Sequence, residues 1–175
     1  MTDGTRPLTH GTAVWFVAPA VVFLDLISKA WARSVPLAMP PETSLEQFVG
    51  FRLVENSGVS FNALDFGDGV GRIVPLGLTI VVTVVIALWM FRAQGELQRL
   101  FVGLIFAGGL SNIVDRLASG SVTDFIDYRW LGQSIVSGNV ADISITIGAI
   151  GAFGSLFLAH IRPSSAHSNA AGNSE

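Results

Sequence analysis

The segment from Ile73 to Phe91 constrains the fold of this chain most strongly, because it contains no charged residue. As a helix it is long enough to cross the roughly 30 Å hydrocarbon core of a membrane. Its Val and Ile residues would favour a strand in water, but a lone strand cannot pair its backbone polar groups in lipid. Three further apolar segments lie at 13–31, 97–117 and 143–161. The sequence therefore predicts a membrane-embedded, all-α bundle of four transmembrane helices.

The composition supports a small integral membrane protein. Hydrophobic residues make up 50% of the 175 residues and charged residues only 13%, whereas soluble domains carry about 25% charged residues. The net charge of −3 and the absence of a basic stripe indicate that nucleic acid is not a partner. Because the chain has no Cys, disulfides, thiolate catalysis and Cys-ligated metal sites are excluded as well.

The polar segments divide the chain into one domain and two tails. We expect a polar N-terminal tail over 1–12, a membrane domain over 13–161 and a disordered C-terminal tail over 162–175. The first long loop, 34–71, contains an alternation of apolar residues from Val49 to Leu53 that is typical of a strand. Within this loop Gly58 permits a turn that other residues resist.

The first span ends with two charges, Asp25 and Lys29, which are four residues apart and share a helix face. They would fall inside the apolar core that a cleavable signal peptide needs, which argues against that interpretation. Two interpretations stay open: a neutralised pair whose Lys29 extends outward to the interface, or a pair that binds a ligand.

The third span carries small residues every four positions, at Gly103, Ala107 and Ser111, and this row continues to Asp115. Small residues on one face allow another helix to approach closely. We expect Asp115 to be a structural partner of a backbone group or an Arg rather than a catalyst. A similar row, at Ser144, Gly148 and Ala152, lies on the fourth span.

Four spans place both termini on one side of the membrane and both long polar loops on the other. The polar ends of spans one, three and four then meet at the loop side. Two neighbouring carboxylates there could share a proton and hydrolyse an amide by general acid–base catalysis. This chemistry alone does not choose among Asp115, Asp124, Asp127 and Asp142, and such a cluster could also bind a cation or relay protons.

Five blocks of sequence, in order along the chain, resemble the lipoprotein signal peptidases (type II signal peptidases) of bacteria, an aspartic peptidase family. The blocks are Asp25–Lys29, Asn56–Phe61, Gly108–Arg116, Val122–Phe125 and Asn139–Asp142. The resemblance covers residues 13–161. Each block alone is a weak signal, but five in order on four spans are specific.

The resemblance implies that Asp124 and Asp142 are the catalytic pair. The residues expected to bind substrate or to support the site are Asp25, Lys29, Asn56, Gly58, Asn112, Asp115, Arg116, Asn139 and Ala141. The family uses no metal or other cofactor. Its fold adds to the helices a small extracytoplasmic β-sheet, which we expect to be formed largely by the first long loop.

The resemblance also implies a substrate and a location. The family removes the signal peptide of a prolipoprotein just before a cysteine that bears diacylglycerol. It works in the bacterial cytoplasmic (inner) membrane, with both termini cytoplasmic and the site near the outer face. We expect a monomer surrounded by membrane phospholipids.

Two positions depart from the family pattern. Gly138 stands where the family usually has Phe, and Ser111 stands where it usually has Gly. The alternatives to an active peptidase are a small ion- or proton-coupled transporter, a catalytically impaired paralogue that binds proteins, and a non-enzymatic scaffold.

Overall fold

A computed structural model describes residues 13–35, 47–58, 67–93 and 95–161. Four helices and three strands follow in the order α1 (Ala13–Ser34), β1 (Val49–Asn56), α2 (Gly67–Arg92), α3 (Glu96–Ser119), β2 (Val122–Trp130), β3 (Gln133–Gly138) and α4 (Val140–Ile161). The two tails expected at 1–12 and 162–175 lie outside the described residues.

All four helices are long and apolar enough to cross a membrane, which confirms the predicted number of spans. Their membrane-spanning parts are Ala13–Ser34, Gly71–Arg92, Glu96–Ser119 and Val140–Leu158. Large apolar side chains such as Phe16 and Ile150 are exposed on the outside of the bundle. Such a surface is what a lipid-facing exterior requires, because lipid tails offer no polar partners.

Helix α3 lies at the centre of the bundle and contacts the other three helices. The predicted row of small residues on it, with Gly103, Ala107 and Ser111, is buried. At Gly108 the approach of α4 is so close that a Cβ atom would lie 2.5 Å from the carbonyl oxygen of Ala141. The small residues therefore bring backbone against backbone, as expected where packing rather than apolar burial joins membrane helices.

The three strands form an antiparallel sheet in the order β1-β2-β3. Strand β2 pairs with β1, with Val54 opposite Asp124, and with β3, with Ile126 opposite Gly138. The β2–β3 hairpin turns at Leu131 and Gly132, which have φ values of 50° and 80°. Positive φ at both positions of a two-residue loop is the geometry that matches the twist of a hairpin.

The predicted combination of a four-helix bundle and a small sheet is confirmed, but the origin of the sheet needs correction. The first loop was expected to form most of it, whereas among the described residues it contributes only β1. The other two strands come from the polar segment between α3 and α4. Buried Asp124 and Asp127 interrupt the alternation of apolar and polar residues in β2, so the segment resembled a loop.

Candidate active site

The first turn of α4 is built by reciprocal hydrogen bonds between Asn139 and Asp142. The backbone N–H of Asp142 donates to Asn139 Oδ1 over 3.1 Å, and the backbone N–H of Asn139 donates to Asp142 Oδ2 over 3.1 Å. This is the capping-box arrangement, which satisfies two backbone donors at a helix start. It also explains why α4 begins at Val140 rather than at residue 143.

Asp124 lies on the central strand β2 and its side chain is 2% exposed. Two amide groups bind its carboxyl group: Asn56 Nδ2 donates to Oδ2 over 3.0 Å, and Asn139 Nδ2 donates to Oδ1 over 2.7 Å. Burial and the nearby Asp142 together raise the pKa of Asp124 to about 6, although the two amide hydrogen bonds oppose the shift. Asp124 therefore exchanges its proton near neutral pH.

Asn139 joins the two carboxyl groups. Its side-chain N–H binds Asp124, and its backbone N–H binds Asp142. Asp142 also accepts a hydrogen bond of 3.2 Å from Asn112 Nδ2 on α3. The structure thus brings together the two aspartates that the sequence analysis singled out, with Asn56, Asn112 and Asn139 around them.

A buried ion pair, Asp25 and Lys29, contacts the residues around the two aspartates. Lys29 Nζ is 2.6 Å from Asp25 Oδ2, and both side chains are fully buried, so Lys29 does not extend outward to the interface. Lys29 also donates to Asn112 Oδ1 over 2.9 Å. Since the Asn112 amide is fixed in this way, its N–H group is directed at Asp142.

Asp25 joins the same ion pair to α3 and α4. It accepts hydrogen bonds from the Ser111 hydroxyl over 2.6 Å and from the backbone N–H of Ala141 over 2.8 Å. A buried charge needs this number of partners to offset its lost hydration. The hydroxyl of Ser111, at one of the two positions that depart from the family pattern, is therefore a partner of the buried carboxylate.

Asp115 holds the sheet against the bundle. Its carboxylate accepts a hydrogen bond of 2.7 Å from the backbone N–H of Thr123 and one of 2.5 Å from Arg33 Nη2. These are the backbone and Arg partners expected from the sequence. Arg33 also donates to the Thr123 hydroxyl. The role of Arg33 was missed because it follows the last apolar residues of the first span and resembles an ordinary flanking charge.

Arg116 and Gly58 occupy the remaining sides of the site. The buried Nε of Arg116 has no hydrogen-bond partner among the described residues, and its guanidinium lies within electrostatic range of Asp124 and Asp142. The backbone N–H of Gly58 donates to Asn56 Oδ1 over 2.9 Å, which orients the Asn56 amide toward Asp124. Gly58 has a φ of 84°, a conformation that glycine adopts readily.

The partners of the four candidate aspartates differ in kind. Asp115 is paired with Arg33, and Asp127 is paired with Arg129 at 2.7 Å. The hydrogen bond and the charge of Arg129 help to hold the pKa of Asp127 below its usual value despite its burial. In the described ranges, Asp124 and Asp142 make hydrogen bonds to amide N–H groups and no direct ion pair.

Across residues 13–35, 47–58, 67–93 and 95–161 no cluster of three His, Cys, Asp or Glu side chains is arranged to hold a metal ion.

The fold and this site define a multi-pass membrane protein in which two amide-bound carboxyl groups meet where helices and sheet join. Comparison with known proteins agrees with this assignment to a class of membrane protein. The family model for signal peptidase (SPase) II matches residues 17–158. The chain belongs to this family, whose members are membrane proteases of the aspartic type.

Individual relatives show the same similarity. A lipoprotein signal peptidase of Shewanella baltica (strain OS155) is 35% identical over 153 residues, which cover 82% of this chain and 86% of the relative. A lipoprotein signal peptidase of Yersinia pseudotuberculosis serotype O:1b is 32% identical over 149 residues, covering 83% and 87%. A solved structure of a bacterial membrane enzyme superposes with a TM-score of 0.68 at 25% identity, covering 90% of this chain and 94% of the other.

Proposed function

We propose that this protease removes the signal peptide from diacylglyceryl-cysteine prolipoproteins, with Asp124 and Asp142 activating a water molecule. The observation that carries the proposal is the pair of carboxyl groups joined by Asn139, which accept amide N–H groups where Asp115 and Asp127 have arginine partners. A carboxyl group without a cation partner in a buried place keeps a proton to higher pH. One shared proton on such a pair is what general acid–base hydrolysis needs.

The chemistry follows from that shared proton. The ionised carboxylate takes a proton from water as the water oxygen attacks the carbonyl carbon, and the protonated carboxyl group donates to the carbonyl oxygen. In the tetrahedral intermediate the carboxyl group that now carries the proton donates it to the leaving nitrogen, while the other carboxylate takes a proton from a hydroxyl group of the intermediate. The C–N bond breaks, the amine leaves, and the pair again holds one shared proton. Because the two acids titrate together, their roles belong to the pair.

The surrounding residues have supporting roles in this proposal. Asn56, Asn112 and Asn139 orient the acids, and the Asp25–Lys29 pair fixes Asn112 and the start of α4. Gly58 orients Asn56. Three supporting residues remain. Asp115 anchors the sheet through the backbone N–H of Thr123, and the backbone N–H of Ala141 binds the Asp25 carboxylate. Arg116 contributes a positive charge within electrostatic range of Asp124 and Asp142, which favours the ionised form of the pair.

The substrate and location belong to the same proposal. The relatives are lipoprotein signal peptidases, and a lipid-bearing cysteine requires a site at the edge of the bilayer, where the helices meet the sheet. We assign the domain to residues 13–161, a bacterial inner-membrane location, a site near the outer face and cytoplasmic termini. We expect a monomer in contact with phospholipids. Membership of a protease family does not favour the transporter alternative.

The test is a cleavage assay on a purified diacylglyceryl-cysteine precursor in detergent. Asp124→Asn and Asp142→Asn should each abolish cleavage while the protein remains folded, as measured by circular dichroism. Glu96→Gln is a matched control, because it removes an exposed carboxylate at the start of α3, at the other end of the helix from the site. Processing by either folded aspartate variant at the wild-type rate would refute the proposal.

A further inference from the structure

A polar cleft of about 300 Å³ opens beside Asp124. Its lining comes from both outer strands of the sheet and includes Arg52, Glu55 and Asn56 from β1 and Ser134 and Ser137 from β3. Pockets that hold small ligands measure about 300 to 1,000 Å³. The cleft is therefore large enough for a short segment of polypeptide, and it adjoins the carboxyl group that we place in catalysis.

The polarity of the cleft restricts what enters it. A signal peptide and a diacylglyceryl group are apolar, and they would displace water from the hydroxyl and charged groups of the lining without offering them polar partners, which is unfavourable. The segment that follows the lipid-bearing cysteine is different, because it must leave the membrane for water. It is the part of the substrate whose backbone and side chains match a polar lining.

Arg52 is the cationic residue of the cleft lining, which also contains the acidic residues Glu55 and Asp124. Its side chain is half exposed, and its Nη2 donates to the Ser134 hydroxyl over 2.8 Å. The nearest carboxylate, Asp127 at 3.5 Å, is held more closely by Arg129 at 2.7 Å. Glu55 lies 4.0 Å from Arg33 and accepts a hydrogen bond from Ser121. Each of these acids thus has another partner, and the exposed part of the Arg52 guanidinium is available to a ligand.

We propose that this cleft binds the residues just after the lipid-modified cysteine and that Arg52 makes the enzyme select acidic over basic residues there. The proposal rests on the peptidase function proposed above. The interaction lies away from the reacting bond, so it is the same in the bound substrate and in the transition state. Such uniform binding changes KM and leaves kcat nearly constant.

The experiment uses three diacylglyceryl-cysteine precursors that differ only in the second and third residues after the cysteine, which are Asp-Asp, Asn-Asn or Lys-Lys. With the wild-type protein in detergent at low salt, we expect kcat/KM for the Asp-Asp precursor to exceed that for Lys-Lys by about three- to tenfold, the range of a partly exposed ion pair. The difference should reside in KM and should shrink at about 0.5 M salt, where exposed charges are screened.

Two variants of Arg52 and one control variant make the test specific. Arg52→Gln should equalise the three precursors, and Arg52→Glu should reverse the order, a gain that damage to the sheet does not produce. Arg92→Gln removes an exposed Arg at the end of α2 and should keep the wild-type preference. If Arg52→Glu does not fold, the wild-type series and Arg52→Gln decide the question.

The failure of this proposal is distinct from that of the peptidase function. A wild-type enzyme that cleaves all three precursors equally, or a folded Arg52→Glu that keeps the wild-type order, would overturn the role of Arg52. Cleavage of the Asn-Asn precursor by Asp124→Asn at the wild-type rate would instead overturn the catalytic assignment on which it rests.

Discussion

Replacing Asn139 tests the site most directly, because this residue caps α4 and also binds both candidate catalytic acids. Its Oδ1 accepts the backbone N–H of Asp142, and its Nδ2 donates to Asp124. Asn139→Ala removes both bonds, whereas Asn139→Ser offers a hydroxyl that can replace the cap but has no second polar group to reach Asp124. The two variants therefore separate capping from the binding of the carboxylate.

The magnitudes follow from the two bonds. Loss of a cap costs about 1 kcal/mol, and loss of a hydrogen bond to a charged group costs about 1.5–3 kcal/mol. We expect Asn139→Ala to lower the free energy of unfolding by roughly 2.5–4 kcal/mol, and Asn139→Ser by about 1 kcal/mol less than Ala. Chemical denaturation in detergent measures both values.

The pH dependence has a definite sign. The proposed mechanism needs one proton on the pair, so we expect activity to fall as the pH rises above the pKa of Asp124, which is about 6. The Asn139 bond favours the ionised form of Asp124 and lowers its pKa. Its loss in Asn139→Ser should therefore move the basic limb of kcat/KM upward by about one pH unit, since one unit corresponds to about 1.4 kcal/mol. An unshifted limb in a folded, active Asn139→Ser would refute this reasoning.

Three further substitutions have defined outcomes. Lys29→Met leaves the Asp25 carboxylate buried without its cation. It should lower the free energy of unfolding by about 3–5 kcal/mol, measured by denaturation in detergent. Gly138→Ala places a Cβ atom 3.1 Å from Asp142 Oδ2, and it should lower kcat several-fold with little change in melting temperature. Gly58→Ala combines a φ of 84° with a Cβ atom 2.5 Å from Pro75 Cβ, so it should both destabilise the protein by about 1–3 kcal/mol and reduce cleavage. A wild-type melting curve for Lys29→Met, or wild-type cleavage rates for either glycine variant, would contradict the corresponding contact.

The helices were predictable from the sequence because lipid imposes one strong rule on them. A membrane span must satisfy its own backbone, so about twenty apolar residues are sufficient evidence for a helix. The buried row with Gly103, Ala107 and Ser111 was likewise visible, since small residues at four-residue steps allow close packing.

The sheet was harder to predict because its core is partly polar. Thr123, Asp124 and Asp127 are buried in β2, where an amphipathic strand would carry apolar residues. Their partners lie far away in the sequence, such as Asn56 on β1 and Arg33 on α1. No local pattern reveals a bond between residues that are tens of positions apart. The cluster of acids pointed to this segment, but only the family resemblance chose Asp124 and Asp142 within it.

The sequence also left the position of Lys29 open between two interpretations. The length of a lysine side chain favours an extended position toward the interface near a helix end. In the structure it turns inward, because Asp25 and Asn112 provide two polar partners at the same depth. Such inward placement depends on a neighbouring helix, which the spacing of Asp25 and Lys29 on their own helix cannot disclose.

The absence of a side chain at Gly108 has a consequence for how enzymes of this kind diverge. The carbonyl of Ala141 occupies the place of the missing methyl group, and Asp142 is the next residue along α4. The position of Asp142 between the helices therefore depends on a residue that has no side chain. Substitutions on the lipid-facing surface leave this contact unchanged, whereas a single carbon added at Gly108 would move Asp142 away from Asn112.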